Sequence, residues 1–332
     1  MDHKLKKLVL RLILFVCAAS TISWGVFGHE HINHAAVLAL PNPLQEFFYN
    51  HIDFITQEST VPDLRKYTLN DRLERPRHYI NVEKFGGLDS LPDSKALNKK
   101  YDEKFLQANG TLPWYLETMM EKLTKAFKEK RKTEILFLAA DLGHYLGDAH
   151  MPLHTSANHD GDLTNQKGIH AFWEAQLPDL FGESYNLKTR PANYIADINL
   201  EIKTIIRNSY MLADTLLLKE KRLSETYPAD KLFVKDADGK IVRNKFNQLV
   251  HTAAYAKAYH EALNGMVENQ MRLAIAAASD FWLTAWVNAG KPDLSSLDPK
   301  EVTEVNKARL KHELNLWQSG KLYGLKSERE FE

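Results

Sequence analysis

The chain has 332 residues, 44% of them hydrophobic, and it balances 43 Lys and Arg against 43 Asp and Glu. That is enough apolar material for one large core or two smaller ones, and the neutral balance excludes the basic face that duplex DNA normally demands. A lone cysteine, Cys17, excludes a disulfide framework.

The chain opens with Lys4, Lys6, Lys7 and Arg11, then a short apolar run over residues 12–22. With Thr21 and Ser23 three residues and one residue before the cut, this predicts an export signal over residues 1–23, cleaved before Trp24. The run falls well short of the ~20 apolar residues that span a bilayer, so no transmembrane segment is expected in the mature chain. A lipid anchor on Cys17 is set aside, because Phe15 and Val16 stand where small residues are wanted. Cleavage removes four basic residues and one acidic residue, leaving 39 and 42, a formal charge of −3 and no thiol. Any metal in residues 24–332 must then use His, Asp, Glu or the new terminus.

Beyond the signal, helical periodicity dominates, and the predicted fold class is all-α, a single mainly helical domain over residues 24–332. Residues 32–40 and 44–56 read as two short helices split by Pro41-Asn42-Pro43. Residues 57–112 are irregular, punctuated by Pro62, Pro76, Gly86-Gly87 and Pro92. Pro113 opens a helix to about Lys130, and another runs from Thr133 until Pro152 forbids it. A polar loop over 155–168 precedes a helix from Ile169 that is expected to stop at Pro178. Residues 193–221 read as a long helix and 222–243 as a loop or small hairpin turning at Asp238-Gly239. Residues 244–289 and 299–320 supply the last helices.

The chemistry concentrates in "AADLGHYLGDAHMPLHTSANHDGDLTNQKGIHAFWEAQLP", residues 139–178. His144 and Asp148 are four apart and share a helix face, as do His170 and Glu174. Pro152 turns the chain between them, so His154 can return towards the first pair. One His-x-x-x-Asp pair is usually a surface or capping pair. Two such pairs around a Pro-Leu-His, in a thiol-free mature chain, make five nitrogen and oxygen donors that suit more than one zinc ion.

These motifs resemble the zinc-dependent phospholipases C and the single-strand-specific three-zinc nucleases of fungi and plants. "HYLGD" (144–148), "PLH" (152–154) and "GIHAFWE" (168–174) carry the likeness, and "WGVFGH" (24–29) matches the nucleases' mature start. The resemblance implies an exported zinc phosphodiesterase, periplasmic or secreted. It implies one zinc on Asp63, His78, His144 and Asp148, a second on Trp24, His29 and a bridging Asp148, and a third on His154, His170 and Glu174. Trp24 would bind through its freed α-amine and its carbonyl, so that cleavage makes the ligand. Asp63 in "TVPDLRKY" and His78 in "RPRHYIN" are placed by order and context, and Asp63 is also the candidate acceptor of the attacking water's proton. His31 and His34 have no counterpart in the family and read as surface or second-layer residues. "HEHIN" is not a zincin motif, because Asn33 stands where a histidine is needed.

The substrate is the open point. Only fifteen residues separate His154 from His170, the nucleases' Gly-Gly-Asn is missing, and the last carboxylate is Glu174. These traits lean towards a phospholipid headgroup, whereas Trp24 and His29 lean towards single-stranded nucleic acid. The phospholipase C-like reading is favoured, because the substrate loop lies beside the metal ligands, with the single-strand-specific nuclease as its alternative. Phe27, Tyr67, Tyr79, Tyr145, Phe172 and Trp173 could stack on bases or hold a headgroup, although aromatics at helical spacing are usually core. A non-catalytic zinc-stabilised envelope protein is the alternative from another class. No stable protein partner is implied, and His251, His260 and His312 receive no role.

Overall fold

The computed structural model describes residues 25–67, 69, 71–243 and 249–322. It is 71% helical, and among the described residues extended pairing is limited to isolated bridges. The helices are α1 (Gly25–Leu38), α2 (Leu44–Tyr49), α3 (Ile52–Glu58), α4 (Val61–Tyr67), α5 (Ser94–Lys100), α6 (Glu103–Asn109), α7 (Leu112–Lys128) and α8 (Lys132–His150). The consecutive pieces Ile169–Ala171, Phe172–Gln176 and Leu177–Phe181 form α9, and then come α10 (Ile198–Thr226), α11 (Ala253–Leu263), α12 (Met266–Asn288) and α13 (Lys300–Gln318).

Two helices are buried almost all round, and between them they carry His29, His31, His34, His144 and His150. On α1 every residue from Ile32 to Leu38 is buried, and α8 is buried from Ala139 to His150 except Asp141, so neither has a solvent face of the usual width. α8 packs against α7, α12, α1 and α3. Trp282 of α12 is fully buried, donates its indole N–H to the carbonyl of Ala139 at 3.0 Å, and meets Phe48 with ring centroids 5.2 Å apart. The buried apolar side chains from Phe27 to Trp317 form one cluster. Fully burying each large apolar side chain contributes ~1.5–3 kcal/mol, so helices that hold the donors also anchor the core.

Several element boundaries differ from the sequence reading, each for a local reason. Residues 44–56 are two helices because His51 interrupts them with a non-helical backbone. α10 starts at Ile198, not residue 193, because the Asp197 carboxylate caps it by accepting from Leu200 N at 2.9 Å. The peptide before that cap is tied to α12, with Asn193 N on Asp280 at 2.6 Å and Ile195 N on Thr284 at 2.9 Å. The helix expected over 244–289 is interrupted after Leu263, where Asn264 and Gly265 both take left-handed backbone, φ 54° and 75°. Residues 244–248 of that expectation lie outside the described residues. The expected hairpin is present as paired segments, with bridges Lys235–Ile241 and Phe233–His251 and Gly239 at φ 78° in its turn. Pro178 does not stop α9. Residues 172–176 form a π turn in which Leu177 N–H reaches Phe172 O, five residues back, and the helix continues to Phe181. Such π turns are frequent where a helix carries functional groups.

Candidate metal centre

The approach of α1 to α8 rests on two glycines. A Cβ on Gly143 would lie 1.9 Å from Asn33 Oδ1, and one on Gly147 would lie 3.2 Å from His29 Nδ1. Without side chains there, Asn33 donates to the carbonyls of Ala140 at 3.0 Å and Ile55 at 3.2 Å, pinning α1 between α8 and α3. The His29 ring then stacks on His144 with centroids 3.8 Å apart, and His29 Nε2 lies 3.7 Å from Asp148 Oδ1.

The turn after α8 brings in the next donors. His154 Nδ1 donates to the carbonyl of His78 at 2.6 Å, and Ile80 N donates back to the carbonyl of His154 at 2.8 Å. This reciprocal pairing sets His78 Nδ1 2.9 Å from Asp148 Oδ2, 3.1 Å from His144 Nε2 and 3.6 Å from Asp63 Oδ1. On α9, His170 Nε2 lies 2.8 Å from Glu174 Oε1, while His154 Nε2 lies 3.2 Å from His170 Nε2 and 3.4 Å from Glu174 Oε2. Donor atoms therefore gather in three groups: His29, Asp63 and His144; His78, His144 and Asp148; and His154, His170 and Glu174. Every side chain in them is buried except His170, which is partly exposed. Trp24 lies outside the described residues. His29 was expected beside Asp148, and it also groups with Asp63 and His144, so the first two donor sets overlap.

Chemistry supports cations at these points. His144, His154 and His170 each direct Nδ1 at a carbonyl oxygen, of Ser59 at 2.7 Å, His78 at 2.6 Å and His159 at 2.9 Å. A carbonyl only accepts, so each Nδ1 carries a proton, and a ring made neutral, as metal ligation requires, turns the lone pair of Nε2 inward. The Nε2 atoms of His154 and His170 face one another at 3.2 Å, and two nitrogens so placed suit a shared cation between them. Both Glu174 oxygens are buried beside them without a hydrogen bond. Donors ~2.1 Å from a tetrahedral zinc stand roughly 3.4 Å apart, close to these separations. The residues fit zinc.

Charge points the same way. Burial works to raise the Asp148 carboxyl, but His144 and His154 outweigh it and hold it well below its ordinary range. Glu174 is likewise pushed up by burial and pulled below its usual value by His170 and His154. For Asp63, burial is outweighed by Lys66, His144 and His78, and its pKa is lowered. Burial, joined by the His144 charge, depresses His29 to about 3, so it is a neutral donor at physiological pH.

A model of the S1/P1 Nuclease family matches residues 24–275. The chain belongs to the S1/P1 nuclease family. No curated protein matches it. Members of this family are zinc-dependent, and the chain is a zinc-dependent phosphoric ester hydrolase that cleaves phosphodiesters. The nuclease family points to nucleic acid as the class of substrate, and nothing in the match supports the phospholipid preferred from the sequence. Among the described residues no helix is long and apolar enough to cross a membrane.

For this nuclease-family chain the structure removes the surface alternative for two histidines. His31 and His34 are buried, not superficial. His31 stacks on Phe27 with centroids 3.7 Å apart, and burial depresses it to about 4. His34 meets Thr56 at 3.1 Å and Glu313 of α13, whose other oxygen accepts from Tyr49 at 2.7 Å. Among the aromatics, Phe27, Tyr145, Phe172 and Trp173 are core and unavailable to a ligand. Tyr79 is half-buried, and the side chain of Tyr67 lies outside the described residues. His251 stacks on Phe172 with centroids 3.8 Å apart, and His260 Nε2 is hydrogen-bonded to the Tyr185 hydroxyl at 2.7 Å. Sequence reasoning missed Asn33 as the clamp between helices. It also missed Glu74, a fully buried carboxylate four residues before His78, although that is the same spacing that drew attention to the other pairs. Lys66, 3.0 Å from Asp63 Oδ1, was missed too.

Proposed function

We propose that the chain is an exported three-zinc nuclease acting on single-stranded nucleic acid. The signal over residues 1–23 is cut before Trp24, and residues 24–332 form one catalytic domain. The observation that carries the reading is the convergence of three buried His and carboxylate groups, fed by α1, α4, α8, α9, the segment around His78 and the turn that carries His154, in a chain of this family. The family match begins at residue 24, which supports the placement of the cut. The mature surplus of acidic residues suits substrate capture by metal ions better than capture by a basic face.

In this reading Asp63, His78, His144 and Asp148 hold one zinc, Trp24, His29 and Asp148 a second, and His154, His170 and Glu174 the third. When bound, zinc supplies the positive charge that holds phosphate oxygens and the acidity that makes water a nucleophile at neutral pH. The protein's part is to fix the donors. Asp148 offers one oxygen to each side, 2.9 Å from His78 and 3.7 Å from His29. Asp63, kept ionised by Lys66, takes up the proton released as water attacks phosphorus, and the ester P–O bond opposite breaks.

A phospholipid headgroup remains the second reading, favoured by the short interval between His154 and His170 and by Glu174. One assay series separates them. Zinc-loaded protein is offered single-stranded DNA, RNA, duplex DNA and phosphatidylcholine vesicles. Single strands should be cut fastest. Release of phosphocholine without cleavage of any strand would reverse the assignment, and turnover of none would favour the binding-protein alternative.

A further inference from the structure

We infer that Glu74 is a positioning residue for zinc, one that fixes the His78 ring from behind so that Nδ1 faces the metal side. The inference rests on the assignment of His78 to the first zinc.

His78 differs from the other ring donors around it. His144, His154 and His170 present Nε2 to the centre and anchor Nδ1 on backbone carbonyls. His78 is reversed: Nδ1 faces Asp148 and His144, and Nε2 points away into protein. That Nε2 is buried with no hydrogen bond elsewhere, and Glu74 Oε1 faces it at 3.4 Å. For Nδ1 to offer a lone pair, the ring proton must sit on Nε2, and Glu74 is the acceptor placed to hold it there. A carboxylate in this position makes the ring a stronger donor than a carbonyl does.

The carboxylate is itself held. Arg77 Nη1 donates to Glu74 Oε2 at 2.8 Å and Arg65 Nε at 3.3 Å, while the Tyr145 hydroxyl donates to Oε1. Arg65 also donates to Asp141 at 2.6 Å. These residues come from α4, which carries Asp63; from the turn Arg75–His78; and from α8, which carries His144 and Asp148. One polar cluster, fully buried at Glu74 and Tyr145, thus joins the three segments that supply the first zinc's donors, and Glu74 is its point of contact with a ligand.

The test measures zinc, with activity as a second readout. Zinc affinity of wild type, Glu74→Gln and Asp141→Asn is determined by competition with a chelator, ion by ion. Glu74→Gln keeps the volume and the Tyr145 contact but loses the charge, and should weaken one ion about 10- to 100-fold and leave the others unchanged. Cobalt substituted at that site should show a shifted visible spectrum. Asp141→Asn, which frees Arg65 without touching Glu74 or His78, should leave zinc affinity within about twofold. Equal loss in both variants would assign the effect to general loosening and overturn the inference. Should Glu74→Gln fail to fold, long-range proton–nitrogen spectra of the zinc-loaded wild type decide instead. Zinc on Nδ1 of His78 with a proton on Nε2 supports the inference, and zinc on Nε2 overturns it. His78→Ala separates the two levels of argument. If it retains every zinc, the site assignment falls and the inference with it. If it loses one while Glu74→Gln binds like wild type, the inference alone falls.

Discussion

Gly143→Ala puts the contact between α1 and α8 under direct strain. The new methyl would stand 1.9 Å from Asn33 Oδ1, 2.8 Å from its Cγ and 3.0 Å from Nδ2. Asn33 is a short, fully buried side chain held by two carbonyls, so it cannot swing away as a surface lysine would. Overpacking of this kind costs ~1–3 kcal/mol. Displacing Asn33 also forfeits two buried hydrogen bonds at ~0.5–1.5 kcal/mol each. Against this, alanine is the better helix former by about 1 kcal/mol. The net expectation is a loss of about 3 kcal/mol, and at about 2 °C per kcal/mol for a chain of this size, a melting point lower by about 6 °C. The decisive assay is a double-mutant cycle by calorimetry. With Asn33→Ala in place the obstruction is gone, and Gly143→Ala should then be neutral or stabilise slightly, a coupling of about 3 kcal/mol. The same cost in both backgrounds would refute the reasoning. The single variant should also lose zinc, because moving α1 outward carries His29 away from Asp148 and His144.

Four further outcomes follow from the same contacts. Asp148→Ala should release two zinc ions per chain by elemental analysis, because it faces both His78 and His29, whereas His170→Ala should release one. A protein that begins Met-Trp24 and retains the methionine should lose or weaken one ion beside the signal-processed form, since an amide nitrogen has no lone pair to give; equal content in the two would remove the terminal amine from the site. Asp298→Asn should destabilise at neutral pH. Burial works to raise this carboxyl, but bonds from Lys132, His51 and Asn50 outweigh it and lower its pKa, so its stabilisation is complete above the ordinary carboxylate range and is lost as pH falls through the folded-state value. The gap in denaturation midpoint between the variant and wild type should therefore close on acidification below about pH 4, and a constant gap would contradict the assignment. Glu313→Gln should loosen α13 from α1 and α2 through His34 and Tyr49, raising hydrogen exchange in α13 first.

The donor atoms were legible in the sequence because their spacing is set by helix geometry. His144 and Asp148, and His170 and Glu174, must share a face at four-residue separation whatever the rest of the chain does. Asp63 and His78 have no such local rule. They reach the centre through non-local pairing, with His78 carried in by the exchange of hydrogen bonds between Ile80 and His154, and order along the chain gives no distance for that. The same limit left the surface alternative open for two histidines. His31 and His34 sit in a polar-looking run, and only the arrival of α13, with Glu313 some 279 residues further on, makes His34 a buried partner. Helix ends failed where a short-range signal was underweighted. Asn264-Gly265 is a plain stop, and Asp197 a plain cap, yet the apolar periodicity on either side hid both. Pro178 failed in the other direction, since the rule that proline ends a helix assumes four-residue hydrogen bonds and the π turn before it has already left that pattern. That departure falls on the residues around Glu174. There the helix buries Phe172 and Trp173, brings Glu174 beside His170 and still passes Pro178, and it gives up regular geometry at the turn that carries the Glu174 carboxylate.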